Sequence, residues 1–258
     1  MVRVALILEY EGTRYHGFQY QDNAPSVQRE LEQAITRFTG ERVRVKAASR
    51  TDSGVHATGQ VVAFDTECNH SAVVIQRGLN ACLPVDVVVK EAFESRNGFD
   101  PRREALSRSY RYTFLNQRTP SPFWRRFAYH VPAVLDDLAM NSAAQSMLGA
   151  HDFRAFSGPL KPEASSMRRF MDVSVWREDS LVLMELTANA FLPHQIRRTA
   201  GALLRVGHGK ISKEEFAAYI DADELLVAGP TLPPQGLCLT QVIYADMPPK
   251  DGSNVTNL

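Results

Sequence analysis

A chain of 258 residues with 44% hydrophobic and 22% charged side chains is long enough for one large or two small globular units, each able to bury its own core. Lysine plus arginine balances aspartate plus glutamate at 29 each, which excludes an overall positive field as the means of recruiting a polyanion; any nucleic-acid contact must come from local clusters of arginine. Cys68, Cys82 and Cys238 are scattered and unpaired in spacing, arguing against a disulfide framework and for a reducing, cytoplasmic compartment, and no apolar run reaches the roughly 20 residues that span a bilayer.

Residues 2–10 read as a first strand, left by a polar, aromatic loop from Glu11 to Gln21. Ser26 caps a helix in which Val27, Leu31, Ala34, Ile35 and Phe38 share one face, and Gly40 ends it. Strands near 42–48 and 60–65 follow, with a polar loop between them. A second helix over 71–82 begins at Ser71 and is broken by Pro84, after which Val85 to Phe93 is again strand. The order β-α-β-β-α-β is the ferredoxin-like pattern. Asn97 to Glu104, with Gly98 and Pro101, connects to a second half that opens on the alternation of Tyr110, Tyr112 and Phe114 with Arg111, Thr113 and Leu115. Trp124 and Arg125-Arg126 lie in the Pro-rich loop that follows, and a helix over 135–148 ends at Gly149. Arg169 to Arg177 and Leu181 to Ala188 form a hairpin around Glu178-Asp179-Ser180, and a helix over about 192–206 comes next. Gly207-His208-Gly209-Lys210 follows a helix rather than a strand, and Lys210 precedes Ile211, which is the wrong context for a phosphate loop. Ser212 and Glu215 form a capping box, and Leu237 to Tyr244 is the last strand.

The fold expected is α+β: two ferredoxin-like halves, 1–105 and 106–247, joined into one mixed, mainly antiparallel sheet with helices packed on one face. Residues 248–258 are expected to be a disordered polar tail.

The chemistry concentrates in Ala47 to Phe64, where one carboxylate, one guanidinium, four hydroxyls and a histidine sit between two apolar runs. Asp52 is the only acid between Glu41 and Asp65, and it follows Arg50 and Thr51, either of which can bond it. It reads either as the first residue of an Asp-Ser-Gly turn or as a nucleophile in a shaped pocket. Cys68, His70 and His56 fall short of a zinc pattern.

The run Arg50-Thr51-Asp52-Ser53-Gly54-Val55-His56-Ala57, continued by Gly59-Gln60-Val61, resembles the active-site signature of the tRNA pseudouridine synthases of the TruA family. Similar agreement occurs in the loop after the first strand, in Ser109-Tyr110-Arg111-Tyr112, in Gly149 to Phe153 and in Ala190 to Gly201. The chain departs from the usual pattern at Ser49, where the family has Gly, and at Pro193-His194-Gln195, where it commonly has His-His-Met.

The resemblance implies that Asp52 is the sole catalytic carboxylate, that Tyr110 stacks on the target base, that Arg197 pairs with Asp52, and that Arg50 helps displace the target nucleotide. From the residues alone, Tyr110 can equally belong to a core face with Tyr112 and Phe114, and Arg197-Arg198 can be a solvated basic pair. The implied reaction is isomerisation of uridine to pseudouridine at positions 38–40 of the tRNA anticodon stem-loop, by a homodimer. A redox-neutral rearrangement needs neither cofactor nor metal, and a base that never leaves the enzyme needs no second carboxylate of the kind a glycosidase uses. Arg14, Arg102-Arg103, Arg108, Arg111, Arg125-Arg126 and Arg168-Arg169 are candidate RNA contacts. The competing reading is a noncatalytic RNA-binding module of paired ferredoxin-like domains.

Overall fold

In the first half the chain runs Val2–Tyr10 (β1), Val27–Thr39 (α1), Lys46–Ala47 (β2), His56–Thr66 (β3), Ala72–Cys82 (α2) and Val87–Ser95 (β4). Six of the nine residues of β1 and nine of the eleven of β3 are buried, and the two strands pair antiparallel from Val2 opposite Thr66 to Leu8 opposite Gln60. β4 takes the other edge of β1, and β2 adds to β3. The second half repeats this plan with Ser107–Leu115 (β5), Tyr129–His130 (β6), Asp137–Ala144 (α3), Gly149–Asp152 (β7), Met167–Glu178 (β8), Leu181–Ala188 (β9), Gln195–Gly207 (α4), Lys213–Ala218 (α5) and Leu237–Ile243 (β10). Each half has the strand order fourth-first-third-second: β4-β1-β3-β2 and β10-β5-β9-β8.

The halves fuse where β10 runs parallel to β3, with Cys238 opposite His56 and Leu239 opposite Ala57. One ten-stranded, mainly antiparallel sheet results, with helices packed on one face, the α+β arrangement expected. This computed structural model describes residues 1–161, 163–222 and 228–245, so the expected tail 248–258 lies outside the described residues. Among the described residues no helix is long and apolar enough to cross a membrane.

Local chemistry explains the elements. The Ser26 hydroxyl accepts from Arg29 N at 3.4 Å, Val27, Leu31, Ala34 and Ile35 are buried, and Gly40 ends α1 at φ 79°, a conformation that costs glycine nothing. Three expectations shift. The strand near 42–48 shrinks to two residues because α1 side chains take the backbone of Val45: Glu32 accepts its N–H at 3.0 Å and Gln28 donates to its carbonyl at 3.3 Å. The strand expected at 60–65 starts earlier, at His56. The helix expected from 192 starts at Gln195, because His194 adopts a left-handed backbone at φ 58°.

The seam between the halves leaves no space for a side chain at Gly59, where a β-carbon would overlap the carbonyl of Thr240 on β10. Gly59→Ala is therefore expected to push β10 off β3 and cost about 1–3 kcal/mol, read as a lowered melting temperature of roughly 2–4 °C per kcal/mol.

Candidate active site

The loop between β2 and β3 is held from beneath by a fully buried glutamine. Gln60 donates to Ser49 O at 2.8 Å and accepts from Ser49 N at 3.2 Å, satisfying both ends of its amide. Thr51 is buried with its hydroxyl 2.8 Å from that of Tyr10, so it does not bond Asp52. Val55 N donates to Asp52 O at 3.1 Å and Gly54 sits at φ 77°, so the Asp-Ser-Gly turn is present as well.

The loop from Glu11 to Gln21 braces this turn through backbone contacts. Phe18 N donates to Thr51 O at 3.1 Å and Gly54 N to Tyr15 O at 3.2 Å. A β-carbon on Gly17 (φ 93°) would come within 2.7 Å of Thr51 O, and one on Gly12 would overlap the Val55 carbonyl. These two glycines let one loop lie flat on the other.

His56 locks the same junction. Its Nδ1 accepts from Gly12 N at 2.9 Å, which leaves Nε2 to carry the hydrogen and donate to Arg126 O at 2.7 Å. Burial pushes its pKa below the ordinary 6.5, partly opposed by hydrogen bonding to Arg126 and by the Glu11 carboxylate. With the folded pKa depressed, the unfolded chain binds the extra proton first, so this contribution to stability is complete above about pH 6.5 and declines as pH falls below it. Melting curves between about pH 7 and pH 5 are expected to show a larger loss for wild type than for His56→Gln, which cannot be protonated there.

Asp52 and its partners come from opposite ends of the chain. Arg197 Nη1 donates to Asp52 Oδ2 at 3.2 Å, and His194 Nδ1 lies 3.0 Å from the same oxygen. Among the described residues Oδ1 accepts no hydrogen bond, so one oxygen of the carboxylate is held and the other is unengaged. Arg197 is itself clasped: its Nε donates to Leu232 O at 2.6 Å, while Leu232 N donates to Arg197 O at 3.2 Å. The Arg197 side chain is 14% exposed against 38% for Asp52, so the carboxylate is the more open partner.

Tyr110, on β5, is buried and packs edge-on against Phe191 with ring centroids 5.2 Å apart. Its hydroxyl lies 2.7 Å from that of Ser49. Burial pushes the phenol up to about 12, so it keeps its proton at neutral pH. Asp52, Tyr110, His194, Arg197 and Phe191 line a single cavity of 590 Å³, large enough for a nucleoside. Arg50 is exposed at its rim and does not bond Asp52.

Several arginines considered as RNA contacts are engaged within the protein. Arg108 is buried and donates to the carbonyls of Ala48, Ala105, Asn189 and Arg102, so it staples the two halves rather than facing outward. Arg14 pairs with Asp86 at 2.8 Å, Arg111 with Glu185 at 2.8 Å and Arg126 with Glu11 at 3.5 Å. Arg168 lines the cavity with its Nε buried and unpartnered among the described residues.

Comparison with known proteins points the same way. The family described as tRNA pseudouridine synthase matches residues 6–101 and 143–245. A tRNA pseudouridine synthase A of Myxococcus xanthus is 43% identical over 96% of this chain and 94% of its own length. The protein of that name from Acetivibrio thermocellus is 42% identical over 95% of this chain and 100% of its own length, and that from Roseiflexus castenholzii is 44% identical over 98% and 93%.

Proposed function

Because the chain belongs to the tRNA pseudouridine synthase family, we propose that it isomerises uridine to pseudouridine in the anticodon stem-loop of tRNA, at positions 38–40, with Asp52 as the nucleophile. The observation that carries this reading is the half-tethered carboxylate: Oδ2 is held by Arg197 and His194, Oδ1 accepts no hydrogen bond among the described residues, and both share a nucleoside-sized cavity with the ring of Tyr110.

Asp52 attacks either C6 of the uracil or C1′ of the ribose. The bond from N1 to C1′ breaks, the base turns while it remains in the site, C5 bonds to C1′, and the bond that Asp52 formed is broken, which restores the free carboxylate. C5 gives up its proton to solvent and N1 gains one, so the rearrangement is redox-neutral. A protonated Tyr110 supplies a flat surface for the everted uracil, and Arg50 at the rim fills the space the nucleotide leaves. The half formed by residues 1–105 supplies Asp52 and the half formed by 106–247 supplies its partners. The active unit is a cytoplasmic homodimer.

The reading is tested by incubating the protein with an unmodified tRNA transcript and mapping pseudouridine by carbodiimide-induced stops in reverse transcription. Stops at positions 38–40 are expected. Tight tRNA binding without stops would favour the noncatalytic RNA-binding module.

A further inference from the structure

His194 stands where the chain leaves a loop and enters α4, and three observations single it out. Its backbone is left-handed, at φ 58° and ψ 5°, a conformation that disfavours a residue carrying a β-carbon. Its ring is fitted against Gly158, where a β-carbon would come within 2.7 Å of His194 Cδ2, and Gly158 N donates to Pro193 O at 2.8 Å. Its Nδ1 lies 3.0 Å from Asp52 Oδ2 and 3.4 Å from Arg197 Nη1. Nδ1 must carry a hydrogen here, since two lone pairs facing each other at 3.0 Å across a carboxylate would repel.

We infer that His194 is a positioning residue that donates from Nδ1 to Asp52 Oδ2 and, together with Arg197, fixes the carboxylate so that Oδ1 is presented to the bound nucleotide. The inference rests on the uridine-isomerising reading of the site. A single guanidinium contact leaves a carboxylate free to rotate about its Cβ–Cγ bond. A second donor to the same oxygen, approaching from a different side chain, removes that freedom before substrate arrives. The left-handed backbone aims the imidazole at Asp52, and the small Gly158 allows it.

Two substitutions separate the hydrogen bond from the backbone. Glycine and asparagine both suit the left-handed region, but only asparagine places an N–H donor near the position of Nδ1. In a tritium-release assay with C5-labelled tRNA, His194→Gly is expected to lower kcat by about ten- to a hundredfold, with KM for tRNA and melting temperature held near wild type. His194→Asn is expected to stay within about threefold of wild type. Wild-type kcat in the His194→Gly enzyme, or equal losses in both variants, would overturn the inference while leaving the proposed activity standing. Absence of release by the wild type would instead remove the activity on which the inference rests.

Discussion

Arg197→Ala is expected to lower kcat for tRNA by about a hundredfold, corresponding to about 2.7 kcal/mol at the transition state, and to leave tRNA binding within a few-fold of wild type. The reason is geometric. Arg197 ties Asp52 Oδ2 to the Leu232 carbonyl through two different nitrogens, Nη1 at 3.2 Å and Nε at 2.6 Å. Truncation loosens the Asp52 carboxylate and also orphans a carbonyl that now has a charged donor. Arg197→Lys rescues little, because one ammonium on a flexible stem cannot reproduce a planar group that serves both acceptors at once. Single-turnover kinetics at saturating tRNA, with filter binding alongside, separate the two effects. A proportional rise in Kd with unchanged kcat would mean that Arg197 contacts RNA and not the nucleophile.

The second large effect is at Tyr110, where ring and hydroxyl have separable roles. Tyr110→Phe keeps the aromatic face and its edge-on contact with Phe191 and loses only the link to Ser49, so a cost of about 0.5–1.5 kcal/mol in stability and a small change in rate are expected. Tyr110→Ala removes the surface proposed to stack on the uracil, an interaction expected to be worth about 1–3 kcal/mol. It also opens a cavity in a buried position at about 3–5 kcal/mol of stability. Rates measured well below the melting temperature of each variant isolate the stacking effect. Equal activity in the Phe and Ala enzymes would discard it. Because burial holds the phenol near 12, neither variant is expected to alter the pH–rate profile around neutrality.

Elements governed by local chemistry were legible in the sequence, and elements governed by long-range contact were not. α1 could be read end to end because Ser26, its apolar stripe and Gly40 act over a few residues. The turn at Asp179 and the capping box at Ser212 are likewise local, and both are present. The strand over 42–48 was overestimated because its apolar alternation looks like pairing, whereas the Val45 backbone is taken by Glu32 and Gln28 on α1. Tyr110, Tyr112 and Phe114 alternate as a strand should, yet alternation cannot tell that the first borders the cavity while Tyr112 reaches Pro233 O with its hydroxyl at 2.8 Å.

The same distinction holds at the site. Asp52 stood out as a lone acid among hydroxyls and glycines, but its neighbours Arg50 and Thr51 are not its partners. Those lie more than 140 residues along the chain, at His194 and Arg197. The separation of His194 and Arg197 by three positions at a helix start is the one signal that puts them side by side, and it shows nothing of the left-handed backbone that aims the imidazole. Arg108 illustrates the converse: an arginine beside aromatic residues suggests RNA, and only the folded chain reveals that four backbone carbonyls already occupy it.

In the proposed reaction Asp52 forms a bond to the nucleotide, and Asp52→Asn tests that with the least disturbance, since the amide preserves shape and removes the carboxylate. Tritium at uracil C5 leaves only when C5 becomes the new point of attachment, so its release reports the rearrangement itself. The prediction is steady release by wild type and none above background by Asp52→Asn, with tRNA bound equally by both. Release by the Asn enzyme at the wild-type rate would contradict it.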